Sequence, residues 1–301
     1  MDAHVMDGRP ADDSRRPGID GATELFGILG NPVAHSLSPA IYNLFFQAAG
    51  ENRVYVPLQT EPAELDTVFE ALKKLRFVGF NVTSPFKHAV TRHLDRLEGV
   101  AAELGCVNTI SREGETWIGH NTDGEGLAGF LESLPEIELS KRDVVLLGAG
   151  NAARAIFRAL LARRPGSLTV VNRSRAKFEE PFFRRHSGEP GVGYVGLDGG
   201  ESEEPIARSN LVVNATSYGL GGRQELAAPP FPGLGRLAPG TVVVDTNYSP
   251  GRQTALLQRL PAGVRAYDGR GMLLHLAGEA YRIWTGHRPD LGAAARLLGV
   301  P

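Results

Sequence analysis

A strand, turn, helix and strand pattern in the middle of the chain restricts its fold more than any other feature. Residues 143–150 read DVVLLGAG, an apolar run that stops at two glycines. The next segment, NAARAIFRALLARR, has apolar residues at helical spacing, and a second apolar run, SLTVVN, begins at Ser167. This order predicts a βαβ unit, which occurs in parallel sheets that helices cover on both faces.

Strands and helices alternate along most of the remaining chain. Short apolar runs bounded by Gly, Pro or Asn predict strands, and longer stretches with helical spacing predict helices. The predicted strands are 25–30, 53–58, 77–82, 107–111, 117–119, 211–214 and 241–245, and the predicted helices begin at Ser38, Pro62 and Leu94, after Asp123, and at Met272. We expect an α/β protein of two domains. A Rossmann-type, doubly wound domain at residues 123–268 is inserted into a second α/β domain with a mixed sheet, at residues 23–122 and 269–301.

Charge and composition narrow the classes of partner. Residues 1–22 mix both charge signs with Gly and Pro and contain no apolar stretch, which predicts a flexible tail and not a signal peptide. The net charge is -2, so no basic field attracts nucleic acid or anionic membrane. No apolar run approaches the roughly 18 residues of a membrane span. The single cysteine, Cys106, excludes an intrachain disulfide and a cysteine-rich metal site. We expect a cytoplasmic protein without a metal ion.

The glycine turn of the βαβ unit has the features of a dinucleotide-binding fingerprint. Gly148, Ala149, Gly150, Asn151 and Ala152 lie between the predicted strand and the predicted helix. The first glycine permits a tight turn, the second lets the backbone approach a pyrophosphate, and the helix N-terminus supplies free N–H groups. A tight βα turn without a ligand is the alternative, because this glycine pattern alone is a weak signal.

The end of the second strand indicates which dinucleotide binds. NAD sites usually carry an acidic residue about 20 residues after the glycines, where it holds the ribose hydroxyls. Here the strand ends in Asn172, Arg173 and Ser174, with Lys177 close behind. The guanidinium of Arg173 offers donors that fit a 2′-phosphate, so we predict NADP. In the alternative interpretation, Arg173 and Lys177 are solvated charges at a strand end.

Three earlier segments place polar side chains at predicted strand ends, where open α/β sheets bind their ligands. They contain Ser36 and Ser38, the run from Asn81 to Lys87, and the run from Gly119 to Gly124. Each has a purely structural alternative. Ser38 and Asp123 could serve as helix caps and nothing more, and Lys87 could be a surface residue.

Nine segments in order resemble those of the shikimate dehydrogenase family. They are GNPVAHSLSP, FNVTSPFK, GCVNTI, GHNTDG, GAGNAARA, VVNRS, NATSYG, DTNYSP and the closing DGRGML…WTGHRPD, and they extend from about Phe26 to Asp290. The resemblance implies that the domain with the mixed sheet binds the substrate and that the Rossmann domain binds NADP.

The resemblance also implies roles for individual residues. Lys87 and Asp123 match the catalytic pair of the family. The residues implied in substrate binding are Ser36 and Ser38 at the carboxylate, together with Asn81, Thr83, Lys87, Asn108, Asp123 and Tyr248. On the cofactor side, Asn172, Arg173 and Ser174 match the adenosine-phosphate loop, and Asn214, Thr216 and Ser217 match a segment lining the cofactor cleft. Gly271, at the start of the closing helix, is also predicted to contact the cofactor.

The implied reaction is the reversible, NADP-dependent reduction of 3-dehydroshikimate to shikimate, a step toward chorismate and the aromatic amino acids. Reduction of a ketone needs a hydride on one face and a proton for the developing alkoxide. A lysine beside a carboxylate can deliver or accept that proton. The partners expected are therefore small molecules, and the protein is expected to be a monomer or a homodimer.

Three positions depart from the family pattern. Leu276 stands where the family usually has a Gln that hydrogen-bonds substrate hydroxyls, Tyr42 where a His is frequent, and Leu220 where a Met is common. A leucine offers no hydrogen bond, which leaves open a related substrate such as quinate or an amino-substituted shikimate. His275 is adjacent but about 100° away around the helix, so it is not an obvious replacement. A non-catalytic sensor of the same ligands is a further alternative, although a sensor does not require Lys87 and Asp123.

Overall fold

The computed structural model describes residues 18–218, 231–249 and 253–301. Most of the predicted tail, residues 1–17, and the departure at Leu220 lie outside these ranges. Among the described residues, no helix combines the length and the apolar character needed to cross a membrane.

The first sheet is mixed, as predicted. Its strands are β1 (Glu24–Gly30), β2 (Arg53–Gln59), β3 (Gly79–Val82), β4 (Arg96–Leu97), β5 (Thr109–Glu113) and β6 (Thr116–His120), in the order β2-β1-β3-β5-β6-β4. β1 runs parallel to β2 and β3, with Phe26 opposite Tyr55 on one side and Gly79 on the other. β5 is antiparallel to both of its neighbours. The parallel centre brings the carboxyl ends of β1 and β3 to one edge.

The second sheet is parallel throughout and doubly wound. Its strands are β7 (Asp143–Leu147), β8 (Ser167–Asn172), β9 (Val192–Gly196), β10 (Leu211–Asn214), β11 (Val242–Asp245) and β12 (Arg265–Tyr267). The order β12-β11-β10-β7-β8-β9 reverses direction at β7, which is the Rossmann arrangement. β10 and β11 are buried along their whole length, because helices and loops cover both faces.

Nine α-helices connect and cover the sheets in the described ranges. They are α1 (Ser38–Ala48), α2 (Leu65–Lys74), α3 (Val100–Leu104), α4 (Asp123–Ser133), α5 (Asn151–Ala162), α6 (Pro181–Arg185), α7 (Glu203–Arg208), α8 (Arg270–Thr285) and α9 (Gly292–Leu298). The chain returns to the first sheet at its end. Leu274, Ala277 and Tyr281 of α8 share one buried cluster with Phe26 of β1. The first core therefore contains residues from both ends of the chain.

Two glycines set the position of α4 between α5 and α8. A Cβ at Gly124 would lie 2.2 Å from the carbonyl oxygen of Ala155 on α5, and one at Gly126 would lie 2.4 Å from Cβ of Leu276 on α8. No other residue permits backbones to approach this closely. The first residue of α4, Asp123, is thereby fixed relative to both neighbouring helices.

One predicted helix boundary is wrong, and the interpretation of Ser38 as a helix cap does not hold. The helix predicted over residues 94–105 is confined to Val100–Leu104, since residues 96–97 form β4 beside β6 and Gly99 adopts a φ of 52° that interrupts the helix. Ser38 is the first residue of α1 and not its cap. The N-cap is Leu37, and the backbone N–H of Ser38 donates to Oγ of Ser36 at 3.3 Å.

Candidate active site

All eight residues predicted to bind substrate line one cavity of about 190 Å³. Ser36 and Ser38 come from the loop after β1 and the start of α1, and Asn81, Thr83 and Lys87 come from β3 and the segment after it. Asn108 precedes β5, Asp123 begins α4, and Tyr248 follows β11. The structure thus gathers these side chains from both halves of the chain, although no contact with a substrate tests their roles.

Lys87 and Asp123 form an ion pair in the wall of this cavity. Nζ of Lys87 donates to Oδ2 of Asp123 at 2.7 Å, and the two side chains are 27% and 6% exposed. Burial alone would lower the pKa of Lys87, but the charge of Asp123 and its hydrogen bond outweigh burial and hold the pKa above its ordinary value. Lys87 is therefore a protonated group directed into the cavity, and the alternative of a solvated surface lysine does not apply.

Asn108 fixes the orientation of the Asp123 carboxylate. Its Nδ2 donates to Oδ1 of Asp123 at 2.7 Å and to Oγ1 of Thr122 at 3.1 Å, while its Oδ1 accepts the backbone N–H of Thr122 at 2.9 Å. The two carboxylate oxygens thus have separate partners, Lys87 for one and Asn108 for the other. The side chain of Asp123 does not cap α4, for which the N-cap residue is Thr122.

A buried tyrosine that the sequence analysis missed holds Asn81. The hydroxyl of Tyr55 donates to Oδ1 of Asn81 at 2.7 Å, and Nδ2 of Asn81 donates to the carbonyl of Asn108 and to Oγ1 of Thr109. This fixes which end of the amide carries the donors. The alternating apolar pattern of β2 predicts that Tyr55 is buried, but not that its hydroxyl reaches β3.

Tyr42, one of the departures from the family pattern, lies behind this network. Its ring stacks on Tyr55 with centroids 4.4 Å apart and an interplanar angle of 19°. The side chain is fully buried, and among the described residues its hydroxyl makes no hydrogen bond of good geometry, although the side chain of Asn81 lies near it. Burial raises the pKa of Tyr42, which keeps the phenol neutral.

One side of the cavity is apolar. Leu273 and Leu276 of α8 line it together with Ile28 and Val33. His275 does not substitute for the missing Gln, because it lines a separate cavity beside Glu132, and a Cβ on Gly129 would lie 3.1 Å from its Nδ1. Burial lowers the pKa of His275, which favours its neutral form.

Tyr248 brings a phenol from the second sheet to the cavity. Burial raises its pKa, an effect that the nearby backbone of Leu37 opposes. The remaining lining residues include His35, which lies in the turn after β1 and was not predicted.

The glycine turn between β7 and α5 has the geometry required for a pyrophosphate. Gly148 has a φ of 109°, which favours glycine, and a Cβ there would lie 3.0 Å from Thr216. A Cβ on Gly150 would contact nothing within 4 Å, so a ligand can approach the backbone here. Ala149 is buried and α5 begins at Asn151, followed by Ala152. In the part of the chain that the structure describes, no side chain caps α5, which leaves its N–H groups available to an anion.

The cations at the end of β8 differ in their partners. Nζ of Lys177 donates to Glu180 at 2.7 Å, and Arg175 pairs with Glu201. Arg173 is exposed, and within the described ranges no acidic side chain pairs with it. Asn172 supports the turn by donating from Nδ2 to the carbonyl of Ser174 at 3.0 Å. Arg173 is therefore the cation in this loop that is available for a phosphate group.

Asn214 is buried in a network at the ends of β10 and β11. Its Nδ2 donates to Oδ1 of Asp245 at 2.8 Å, and its Oδ1 accepts Oγ1 of Thr216 at 2.7 Å. Burial raises the pKa of Asp245, while donors such as Thr254 oppose this. Asn214 thus positions Thr216 against the glycine turn, and Ser217 is exposed beside it.

Gly271 has a packing contact that the sequence did not indicate. A Cβ there would lie 2.4 Å from the ring of Phe130 on α4, so this position is restricted to glycine by the approach of α8 to α4. A contact between Gly271 and a cofactor stays a prediction.

Comparison with known proteins identifies the family. Residues 28–110 match the family described as shikimate dehydrogenase substrate binding domain, and residues 132–219 match the family described as shikimate / quinate 5-dehydrogenase. A shikimate dehydrogenase (NADP(+)) of Rubrobacter xylanophilus is 41% identical over 288 residues, which are 94% of this chain and 98% of that protein.

Solved structures of high similarity carry different ligands. Shikimate 5-dehydrogenase from Thermus thermophilus, in complex with NADP(H) and shikimate, has a TM-score of 0.76 at 32% identity and covers 91% of this chain and 99% of its own. Quinate dehydrogenase from Corynebacterium glutamicum, in complex with NAD, has a TM-score of 0.78 at 30% identity and covers 92% of this chain and 99% of its own. With two matching domain families and a relative this similar over almost the whole length, the chain belongs to the shikimate dehydrogenase family.

Proposed function

We propose that this protein is an NADP-dependent shikimate dehydrogenase, which interconverts 3-dehydroshikimate and shikimate on the route to chorismate and the aromatic amino acids. The observation that carries the proposal is the ion pair of Lys87 and Asp123, 2.7 Å long, in the wall of a cavity lined by six further polar candidates. The relative from Rubrobacter xylanophilus, which bears the same activity in its name, supports it.

Separate residues of the chain have separate roles in ketone reduction. Bound NADPH supplies the hydride. Lys87, protonated at neutral pH, donates a hydrogen bond to the ketone oxygen and then its proton to the developing alkoxide. Asp123 orients Lys87 and accepts a hydrogen bond from a ring hydroxyl. Ser36 and Ser38 bind the substrate carboxylate through hydroxyl donors, and Tyr248 contacts the substrate from the other half of the chain.

The preference for NADP rests on the loop after β8. Arg173 is exposed and without an acidic partner in the described ranges, so its guanidinium is free to bind the 2′-phosphate. Lys177 shares its charge with Glu180 and contributes less. The pyrophosphate binds at the start of α5, where the turn at Gly150 is open.

A quinate or aminoshikimate dehydrogenase is the second candidate, and Leu276 is the observation that favours it. The α8 side of the cavity offers no hydrogen bond from Leu273 or Leu276. A substrate with a different substituent on that side would lose less binding energy there than shikimate does. The similarity to a quinate dehydrogenase in complex with NAD supports this alternative.

A steady-state assay of nicotinamide absorbance tests the proposal. We expect turnover of shikimate with NADP at a kcat/KM at least tenfold above that with NAD. The change Lys87→Ala should lower kcat by about 10²- to 10⁴-fold, the usual contribution of a proton-transfer group. Lys73→Ala, which removes a surface lysine paired with Glu70, serves as the control and should leave kcat unchanged.

Other outcomes of the assay separate the alternatives. Turnover of quinate or an aminoshikimate well above that of shikimate would establish the second candidate. Binding of shikimate without turnover of any substrate would contradict both and would indicate a sensor.

The remaining assignments extend the proposal. We place the boundaries of the substrate-binding domain at residues 23–122 and 269–301 and those of the NADP-binding domain at residues 123–268. The clustering of α8 residues with Phe26 supports the return of the chain to the first domain. A cytoplasmic location agrees with the single cysteine. We keep a monomer or a homodimer as the proposed assembly.

A further inference from the structure

One hydrogen bond joins the segment that carries Lys87 to the dinucleotide turn. Nε2 of His88 lies 2.5 Å from Nδ2 of Asn151, the first residue of α5, and Nδ1 of His88 lies 2.5 Å from the carbonyl oxygen of Gly105. His88 belongs to the half of the molecule built on the first sheet, and Asn151 belongs to the half built on the second. Neither contact was predicted from the sequence.

The carbonyl of Gly105 determines which protons are present. A carbonyl oxygen only accepts, so Nδ1 of His88 carries the hydrogen that it receives. In the neutral ring, Nε2 then has a lone pair and accepts an N–H from the amide of Asn151. Gly105 ends α3 with a φ of 56°, and this turn aims its carbonyl at His88. The imidazole is thus held from both sides in one orientation.

The backbone transmits this contact to the catalytic pair. His88 follows Lys87 directly, and the carbonyl of Lys87 accepts the backbone N–H of Val107 at 2.8 Å. The peptide that carries Lys87 is thus held by Val107 on one side and, through the adjacent His88 ring, by α5 on the other. Asp123, the ion-pair partner of Lys87, is linked to the same helix, because the adjacent Gly124 packs directly on the carbonyl of Ala155 in α5.

A second contact lies on the same face of α5. Arg158 follows Asn151 by seven residues, about two helical turns, and its Nε donates to Glu103 of α3 at 2.9 Å. The Glu103 side chain is 18% exposed, so this ion pair is partly shielded from water. The helix whose start would bind the pyrophosphate is therefore docked along two turns, on His88 next to Lys87 and on α3.

We propose that His88 is a positioning residue that, through its hydrogen bond to Asn151, couples occupancy of the dinucleotide site to the placement of Lys87 in the substrate cavity. The inference rests on the proposed function, since its two ligands are those of the proposed reaction. It predicts that each ligand tightens the binding of the other, and that this mutual effect depends on the His88–Asn151 contact.

Fluorescence titration of NADPH, with and without saturating shikimate, measures the coupling in a complex that cannot react. In the unmodified protein we expect shikimate to lower the Kd of NADPH at least fivefold, at the lower end of usual coupling factors. His88→Ala should reduce this factor below twofold. The double variant, with both His88→Ala and Asn151→Ala, should lose no more of the coupling than either single variant does, because both changes remove the same contact. His88→Gln, which keeps an acceptor facing Asn151, should retain most of the coupling.

Two controls separate positioning from general damage. His287→Ala removes an exposed histidine of the α8–α9 loop and should leave the coupling factor unchanged. The Tm of His88→Ala should stay within about 2 °C of the unmodified protein, because the side chain is exposed.

Each remaining outcome has a definite meaning. Coupling that survives in His88→Ala, or that is absent from the unmodified protein although both ligands bind, would overturn the inference and leave the proposed function intact. Failure of the unmodified protein to bind NADPH at all would instead refute the proposed function.

Discussion

The proton on Lys87 gives the reaction a defined dependence on pH. The pKa of Lys87 lies above its ordinary value of about 10.5, since Asp123 favours the charged form. Oxidation of shikimate needs the unprotonated amine, and its population rises tenfold per pH unit below the pKa. We expect log kcat/KM for oxidation to rise by about one per unit between pH 7 and pH 10, measured in buffers of constant ionic strength. Reduction, which uses the protonated amine, should stay flat and fall only above that range.

The variant Lys87→Arg provides the control for this profile. Arginine keeps the charge beside Asp123 but does not lose its proton in this range. Its residual oxidation rate should therefore be low and independent of pH. A flat profile in the unmodified protein would contradict the role given to Lys87.

Removal of the hydroxyl should have opposite effects on stability at Tyr42 and at Tyr55. Removal of the unpaired hydroxyl in Tyr42→Phe should stabilise the protein by about 1 kcal/mol, because a buried polar group without a partner is costly. Tyr55→Phe should destabilise it by about 1–2 kcal/mol, because Oδ1 of Asn81 loses its donor. Urea unfolding measures both. Equal destabilisation by the two changes would show that Tyr42 has a partner.

The sequence predicted the polar residues that line the cavity better than the residues that hold them in place. Lys87 and Asp123 could be identified because each lies in a distinctive local segment. Tyr55 and His88 could not, because their partners Asn81 and Asn151 are far away in the chain and the contacts depend on how the sheets and domains assemble.

At the scale of a helix, the glycines of α4 make a sharp prediction. Gly126→Ala would place a methyl group 2.4 Å from Cβ of Leu276, and neither backbone can yield easily. We expect a loss of about 2–3 kcal/mol in unfolding free energy and a lower kcat, because α4 carries Asp123.

Gly129→Ala in the same helix is the matched control. Its methyl group would lie 3.1 Å from the movable ring of His275, and alanine favours the helix by about 1 kcal/mol over glycine. The change should therefore be neutral or stabilising in the same urea titration. Similar losses from both substitutions would mean that helix packing does not fix α4.

Periodicity predicted most elements, and its one clear failure has a physical cause. The βαβ unit of β7, α5 and β8 was predictable because its strands are continuously apolar and its helix has a single apolar face. Residues 94–105 also have helical spacing, but pairing of Arg96–Leu97 with β6 competes successfully with the helix. Such pairing across the sheet is not encoded in the local pattern.

For the whole molecule, the packing of α8 on the first sheet makes a measurable contribution to the free energy of unfolding. Leu274 of α8 is 1% exposed inside the cluster with Phe26, so Leu274→Ala should cost about 2–5 kcal/mol. Leu297→Ala, at a site 53% exposed, should change stability by less than about 0.5 kcal/mol. Urea unfolding followed by tryptophan fluorescence, to which Trp284 beside the same cluster contributes, measures both. A small effect at Leu274 would show that α8 is dispensable for the first core.

The two-domain α/β architecture was predicted correctly, because alternating strands and helices with one sharp βαβ unit have few alternative folds. The order of the strands in the mixed sheet was not predicted. It depends on β5 pairing antiparallel with β3, which the spacing of apolar residues does not specify.

Because the first core contains residues from both ends of the chain, it is completed only late in synthesis on the ribosome. The strands of the first sheet emerge early, but α8, which covers them, emerges only after the whole second sheet has been made. At about 5–20 residues per second, the roughly 150 residues between β6 and α8 take about 7–30 s to translate. During that interval the cluster around Phe26 lacks its cover, and a chaperone that binds apolar surface has its best opportunity there. The domain that begins first is completed last.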